Sequence, residues 1–164
     1  MKTITYSPIG IIHTPFTSLD DMPIQPTGAK DVLGEIRVNE ELAEGLEDLN
    51  GFSHIHLLYH FHKNSEFQLK VTPFMDTVQR GLFSTRAPRR PNMIGMSVVR
   101  LESVEGNILR VRGIDVLDGT PLLDIKPYVA KFDAAPADRF GWLDQNADKA
   151  ETLRSDHRFV AESD

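Results

Sequence analysis

Gly95-Met96-Ser97-Val98-Val99-Arg100-Leu101-Glu102-Ser103-Val104, the joint Glu105-Gly106-Asn107, and Ile108-Leu109-Arg110-Val111-Arg112-Gly113-Ile114 decide the fold class. Two apolar-rich runs flank a short Gly-containing segment, the pattern of a β-hairpin. Downstream, Asp118-Gly119 is a tight-turn dipeptide and Leu122 to Ile125 reads as a short strand after it. Upstream, strands are expected over Gln68 to Thr72, Phe52 to His62, Leu33 to Val38 and within the β-rich run Ile4 to Ile12. Asn39 is placed to cap a brief helix through Leu46, with Glu40 and Glu41 in its first turn. Many short strands separated by Gly/Pro turns predict a mainly β domain, a sandwich or barrel rather than a βαβ sheet. No G-x-G-x-x-G follows the first strand, which argues against a Rossmann architecture. The tail from Asp144 to Phe159 has the composition of a surface helix or partner arm.

The chain has 164 residues, which suits one core. At that length about 70% of the unfolded surface can be buried without a disulfide or structural metal. There is no Cys, which excludes thiol catalysis, disulfides and Cys-ligated zinc. The start Met1-Lys2-Thr3-Ile4-Thr5-Tyr6-Ser7-Pro8 has no secretory apolar segment, and no run approaches membrane-span length. A cytoplasmic location is expected.

Net charge is −6, against indiscriminate nucleic-acid binding. The charge is uneven. Arg80, Arg86, Arg89, Arg90 and Arg100 occupy a stretch with no Asp or Glu, whereas acids outnumber bases eight to four from Asp133 onward. A local basic loop suits an anionic ligand or one stretch of phosphate backbone. Pairing of these Arg with the surplus acids is the plainer alternative.

Three segments carry candidate chemistry. Ser53 to His62 places His54, His56, His60 and His62 on one strand face and Ile55, Leu57, Tyr59 and Phe61 on the other. Such a His face suits either a cupin-like metal enzyme or hydrogen-bonded surface imidazoles. Gly81 to Gly95 is a loop stiffened by Pro88 and Pro91, with Arg86, Arg89 and Arg90 as planar multi-donor cations. Ile114 to Tyr128 gathers Asp115, Asp118, Asp124, Lys126 and Tyr128 around a turn, where carboxylates could equally serve as turn caps.

At these residues the chain resembles the TsaA-like (TrmO/VirR) family, whose best-known members are TrmO tRNA methyltransferases. The resemblance rests on Pro8 to Phe16, Gly51-Phe52-Ser53-His54, Gly81 to Gly95 and Asp115 to Tyr128, in order over residues 8–130. It implies a single-domain β-barrel, usually a homodimer, that binds S-adenosylmethionine outside any Rossmann framework. Barrel and tail are expected over residues 1–132 and 133–164. Such enzymes methylate N6 of threonylcarbamoylated adenosine next to the tRNA anticodon.

By motif position, the resemblance assigns cofactor contacts to Pro23, Ile24, Gln25, His62, Lys63, Arg86, Val98, Asp118, Gly119, Thr120 and Pro121. Arg89, Arg90 and Asn92 are then candidates for an anionic acceptor, since Arg pairs with a carboxylate in a fork. His54, Asp124 and Tyr128 are the candidate bases, and the sequence leaves that choice open. Two features depart from the family pattern. Ile24 stands where the family's Pro-Arg-Gln has Arg, and only residues 129–164 follow Tyr128, where longer members carry a C-terminal domain. A related small anionic acceptor is therefore one alternative to tRNA. A non-catalytic S-adenosylmethionine-binding regulatory protein is another.

Overall fold

A computed structural model describes residues 2–20, 22–23, 26–144, 154–156 and 159. Eight strands follow in chain order. They are β1 (Gly10–His13), β2 (Leu33–Val38), β3 (His54–His60), β4 (Lys70–Val71), β5 (Arg80–Gly81), β6 (Ile94–Glu105), β7 (Ile108–Arg112) and β8 (Thr120–Pro127). Six of them close an antiparallel barrel in the order β1-β2-β7-β6-β3-β8, with β8 paired back to β1. The other two, β4 and β5, form a separate ribbon. Closure leaves the barrel no open strand edge.

Alternation fills the barrel. Along β3, Ile55, Leu57 and Tyr59 point inward and are buried, while His54, His56 and His60 are half-buried on the outside. Ile12, Ile36, Val99, Leu109, Val111 and Leu122 complete the inner layer from the other strands. Burying each such aliphatic side chain is worth about 1.5–3 kcal/mol, and this is the main term holding the barrel.

The deciding hairpin is present, with a tighter turn than its composition predicts. Only Gly106 and Asn107 lie between β6 and β7, and Gly106 has φ +61°, in the left-handed region that glycine enters without Cβ strain. Asn107 Nδ2 donates to the Val38 carbonyl at 2.7 Å, tying the turn to β2.

Other boundaries differ for physical reasons. The β-rich run Ile4 to Ile12 yields only Gly10–His13, because β1 has partners only from Gly10, opposite Val38 and Leu122. The expected α-helix after Asn39 is a 3₁₀ helix over Glu40–Leu46, and Asn39 does not cap it. Its side chain donates instead to the Pro8 carbonyl. Beyond Tyr128 there is one short helix, α1 (Ala130–Asp133), and a 3₁₀ turn over Gly141–Leu143. The helix expected over Asp144 to Phe159 falls mostly outside the described residues.

Because neighbouring strands are antiparallel, all long insertions leave one end of the barrel. Residues 14–32, 61–93 and 113–119 emerge where β1, β3 and β7 finish. The hairpin turn, the 3₁₀ segments after β2 and α1 occupy the opposite end. The chain then returns to the insertion end. Phe159 is buried there against Val71, Leu82 and Ala87, with its ring 4.9 Å from Phe74, edge to face. No helix among the described residues is long and apolar enough to cross a membrane.

Candidate functional site

The insertion end holds a cavity of about 910 Å³, within the range of ligand pockets. Its floor is the barrel mouth. Tyr59 on β3, Gly95 and Ser97 on β6, and Asp115 and Val116 in the β7–β8 connection lie there. Its walls come from residues 83–88, from Leu19, Met22 and Pro23, and from Trp142 and Phe159. Trp142 Nε1 donates to the Ser84 carbonyl at 2.8 Å. The Ser155 hydroxyl accepts from the Met22 amide at 2.9 Å and donates to the Leu19 carbonyl, so the returning tail pins the first insertion.

A short polar chain crosses the floor. Ser97 Oγ donates to Asp115 Oδ1 at 2.7 Å, so the Tyr59 hydroxyl, 3.0 Å from Ser97 Oγ, is the donor to Ser97. Ser97 and Tyr59 are buried. Burial pushes the Asp115 carboxyl up to about 6, against the opposing pull of the Ser97 hydrogen bond and the Arg86 charge. Burial also raises Tyr59, which stays protonated at all physiological pH. Gly95 makes this arrangement fit, since any side chain there would overlap the Tyr59 ring opposite.

Of the residues assigned by resemblance, Pro23, His62, Lys63, Arg86, Val98 and Thr120 line this one cavity, although they come from five segments of the chain. Thr120 Oγ1 donates to the Leu117 carbonyl at 2.7 Å and lies 3.4 Å from His62 Nδ1. Desolvation, with the Lys63 charge and His60, lowers the His62 pKa and keeps the ring neutral. Gly119 and Pro121 are not among the lining residues. Nor is Asp118, whose Oδ1 lies 3.2 Å from His13 Nδ1 and accepts from the Thr14 amide at 3.1 Å. The Thr14 bond, with that of His13, holds Asp118 below the ordinary carboxylate range. Gly119, at φ +75°, turns the chain into β8. Ile24 and Gln25 lie outside the described residues.

The three loop arginines divide. Arg86 lines the cavity, and its charge acts on both Asp115 and Tyr59. Arg90 also borders the cavity, but its Nη1 donates to the Thr85 and Ala87 carbonyls at 3.0 and 3.4 Å, and its guanidinium stacks 5.7 Å from the Phe83 ring. Arg89 and Asn92 lie outside the lining.

The candidate bases lie elsewhere. His54 begins β3 and Tyr128 follows β8, so both sit at the far end of the barrel. Six residues of β3 separate His54 from the cavity end, about 20 Å at strand rise. The His54 and Tyr128 rings face each other at 6.2 Å. Asp124 is on the outer surface, where it pairs with Lys126 at 2.7 Å. Of the expected His face, His54, His56 and His60 point outward from the barrel, whereas His62, past the end of β3, lines the cavity. His56 packs 5.3 Å from Tyr128 and 3.6 Å from Asp133. Among the described residues, no group of three or more His, Asp or Glu side chains converges in a way that could hold a metal ion.

Tyr59, Ser97 and Trp142 were not among the residues the sequence singled out, and Asp115 was quoted only as one of several turn carboxylates. A usable signal existed, because Ser97 is a polar residue at an inward position of a strand whose next inward residues are Val99 and Leu101.

The model of the tRNA-methyltransferase O N-terminal domain matches residues 11–134. The chain belongs to the TrmO family. That match covers five of the six barrel strands whole and most of β1, together with every cavity-lining residue except those of the tail, Trp142, Leu143, Ser155, Asp156 and Phe159. A probable S-adenosyl-L-methionine-binding protein of Pyrococcus abyssi is 55% identical over 96% of the chain and 86% of its own length. The human tRNA (adenine(37)-N6)-methyltransferase is 37% identical over 77% of the chain but only 30% of its own length. A crystal structure of TrmO from Pseudomonas aeruginosa superposes with a TM-score of 0.73 at 42% identity, covering 87% of the chain and 64% of that structure. The chain thus spans less than two thirds of the solved TrmO structure and under a third of the human relative, and nearly all of the archaeal one. The closed barrel is therefore the TrmO barrel.

Proposed function

We propose that this protein transfers a methyl group from S-adenosylmethionine, consumed as a substrate, to N6 of the adenosine adjacent to the tRNA anticodon, and that the acceptor carries the threonylcarbamoyl substituent. The observation that carries the reading is the convergence of Pro23, His62, Lys63, Arg86, Val98 and Thr120 on one cavity. The printed names of the relatives, S-adenosylmethionine-binding for the archaeal protein and tRNA adenine-37 N6-methyltransferase for the human one, support it.

The chemistry of the lining fits the donor. Arg86 offers a guanidinium for its carboxylate. Phe83 and Trp142 offer ring faces for its adenine, and the neutral His62 avoids repelling its sulfonium. The residues named here bind and orient, which places the methyl carbon and the acceptor nitrogen in line. Arg89 and Asn92, outside the cavity lining on the same loop, are assigned to the anionic acceptor. A homodimer in the cytoplasm is part of this proposal.

Incubation of the purified protein with labelled S-adenosylmethionine and tRNA bearing threonylcarbamoyladenosine, followed by nucleoside mass spectrometry, tests it. The expected product is the N6-methylated nucleoside. Unlabelled tRNA from protein that binds the donor calorimetrically would leave a donor-binding regulatory protein as the reading.

A further inference from the structure

We infer that Asp115 is the general base of this site, taking the N6 proton of the acceptor, with Ser97 and Tyr59 as the residues that position it. The inference rests on the methyltransferase reading above.

The chemistry demands a base. An acylated N6 has its lone pair delocalised into the adjoining carbonyl, so it is a poor nucleophile until its proton leaves. In the balanced step the N6–H bond gives its proton to the Asp115 carboxylate. The nitrogen pair forms the new N–C bond to the methyl carbon. The carbon–sulfur bond breaks with its pair retained on sulfur, and the cationic sulfonium becomes a neutral thioether. The proton on Asp115 is then released to solvent through the cavity.

The geometry selects Asp115. It lines the cavity at the barrel mouth, whereas Asp124, His54 and Tyr128 lie outside it. Ser97 Oγ, 2.7 Å from Oδ1, fixes the carboxylate's orientation, and Tyr59 fixes Ser97 in turn. Both come from barrel strands, the rigid part of the fold. Among the described residues, the other ionisable groups lining the cavity are Tyr59, His62, Lys63, Arg86, Arg90 and Asp156. His62 has a depressed pKa, Lys63, Arg86 and Arg90 are cations, and Asp156 comes from the returning tail. With its carboxyl at about 6, Asp115 is ionised at neutral pH yet more basic than an exposed aspartate, which suits proton abstraction.

The test is single-turnover methyl transfer to tRNA bearing threonylcarbamoyladenosine, measured across pH 4.5–8.5 for wild type, Asp115→Asn and Ser97→Ala. Calorimetric binding of S-adenosylhomocysteine and thermal melts are run on each. Wild type should show a rate rising with pH through about 6. Asp115→Asn should bind the cofactor product within about threefold of wild type and lose about 10²–10⁴-fold in rate. Ser97→Ala removes a bond that favours and orients the charged carboxylate, so its rising limb should move to higher pH and its plateau rate should fall by less than that of Asp115→Asn. An Asp115→Asn rate within about tenfold of wild type would overturn the assignment, as would a loss of cofactor affinity that matches the loss of rate. If Asp115→Asn does not fold, an unmoved limb in Ser97→Ala overturns the assignment by itself. A wild type that binds S-adenosylhomocysteine but methylates no tRNA overturns the methyltransferase reading, and the base assignment with it.

Discussion

Ser97 Oγ lies 2.7 Å from Asp115 Oδ1, joining an inward strand position to the connection between β7 and β8. Tyr59 completes the chain from a third element. A polar triad is thereby built into the upper layer of an otherwise aliphatic core, at the point where the core meets the cavity. Buried polar groups are tolerated when each has its partner, and here each has one.

The triad has a cost in stability that pH reveals. Asp115 has its folded value at about 6, above the ordinary 3.8, so the fold holds this proton more tightly than the unfolded chain does. Its stabilising contribution is whole below 3.8 and is lost as pH rises through about 6. Asp115→Asn should therefore raise unfolding free energy at pH 7.5 by about 1–3 kcal/mol, with the gain vanishing near the acid end of that window. Urea unfolding at the two pH values checks this. A variant destabilised equally at both would contradict it.

Gly95 is set by the Tyr59 ring directly across the β3–β6 pair. Gly95→Ala should cost about 1–3 kcal/mol by overpacking, without altering the surface. Tyr59→Phe keeps the packing and loses one hydrogen bond, about 1 kcal/mol. Thermal denaturation should rank Gly95→Ala below Tyr59→Phe, and the reverse order would contradict the contact.

Arg86 and Arg90 differ in what they hold. Arg86→Ala should weaken S-adenosylmethionine binding by about 10- to 100-fold, the value of a charge-assisted hydrogen bond. Arg90→Ala removes the donor to the Thr85 and Ala87 carbonyls and the stacking on Phe83, so it should lower the melting temperature first. Calorimetry and melting curves on both variants separate the two. Equal losses of affinity would refute the division.

Association should be visible in solution. Phe132, in α1, and Phe140, beyond it, are well exposed at 75% and 58%. A closed two-fold pair is the commonest way to cover such surface. Sedimentation equilibrium at micromolar concentration is expected to give twice the 18.5 kDa chain mass, and a monomer would contradict it.

Period-two alternation fixed which β3 side chains face the core, and the Gly-Asn and Asp-Gly dipeptides fixed two turns, because those signals are local. The motif segments were legible for the same reason, since the residues that carry them are contiguous. Position along a barrel is not local. Ser53 to His62 reads as one conspicuous strand of histidines, yet nothing in it says that His54 lies at one end of the barrel and the cavity at the other. Strand direction and the placement of the insertions set that, and both depend on pairing between distant segments. Likewise Asp118 and Asp115 look equivalent as turn carboxylates. Folding ties Asp118 to His13 and Thr14 and turns Asp115 into the barrel mouth beneath Ser97. The sequence alone carried the β architecture, the family motifs and the loop arginines. Closure of β1 onto β8 carried the rest, because it brings β3, β6 and the β7–β8 connection to one mouth and so joins a serine, a tyrosine and an aspartate in a single hydrogen-bonded chain.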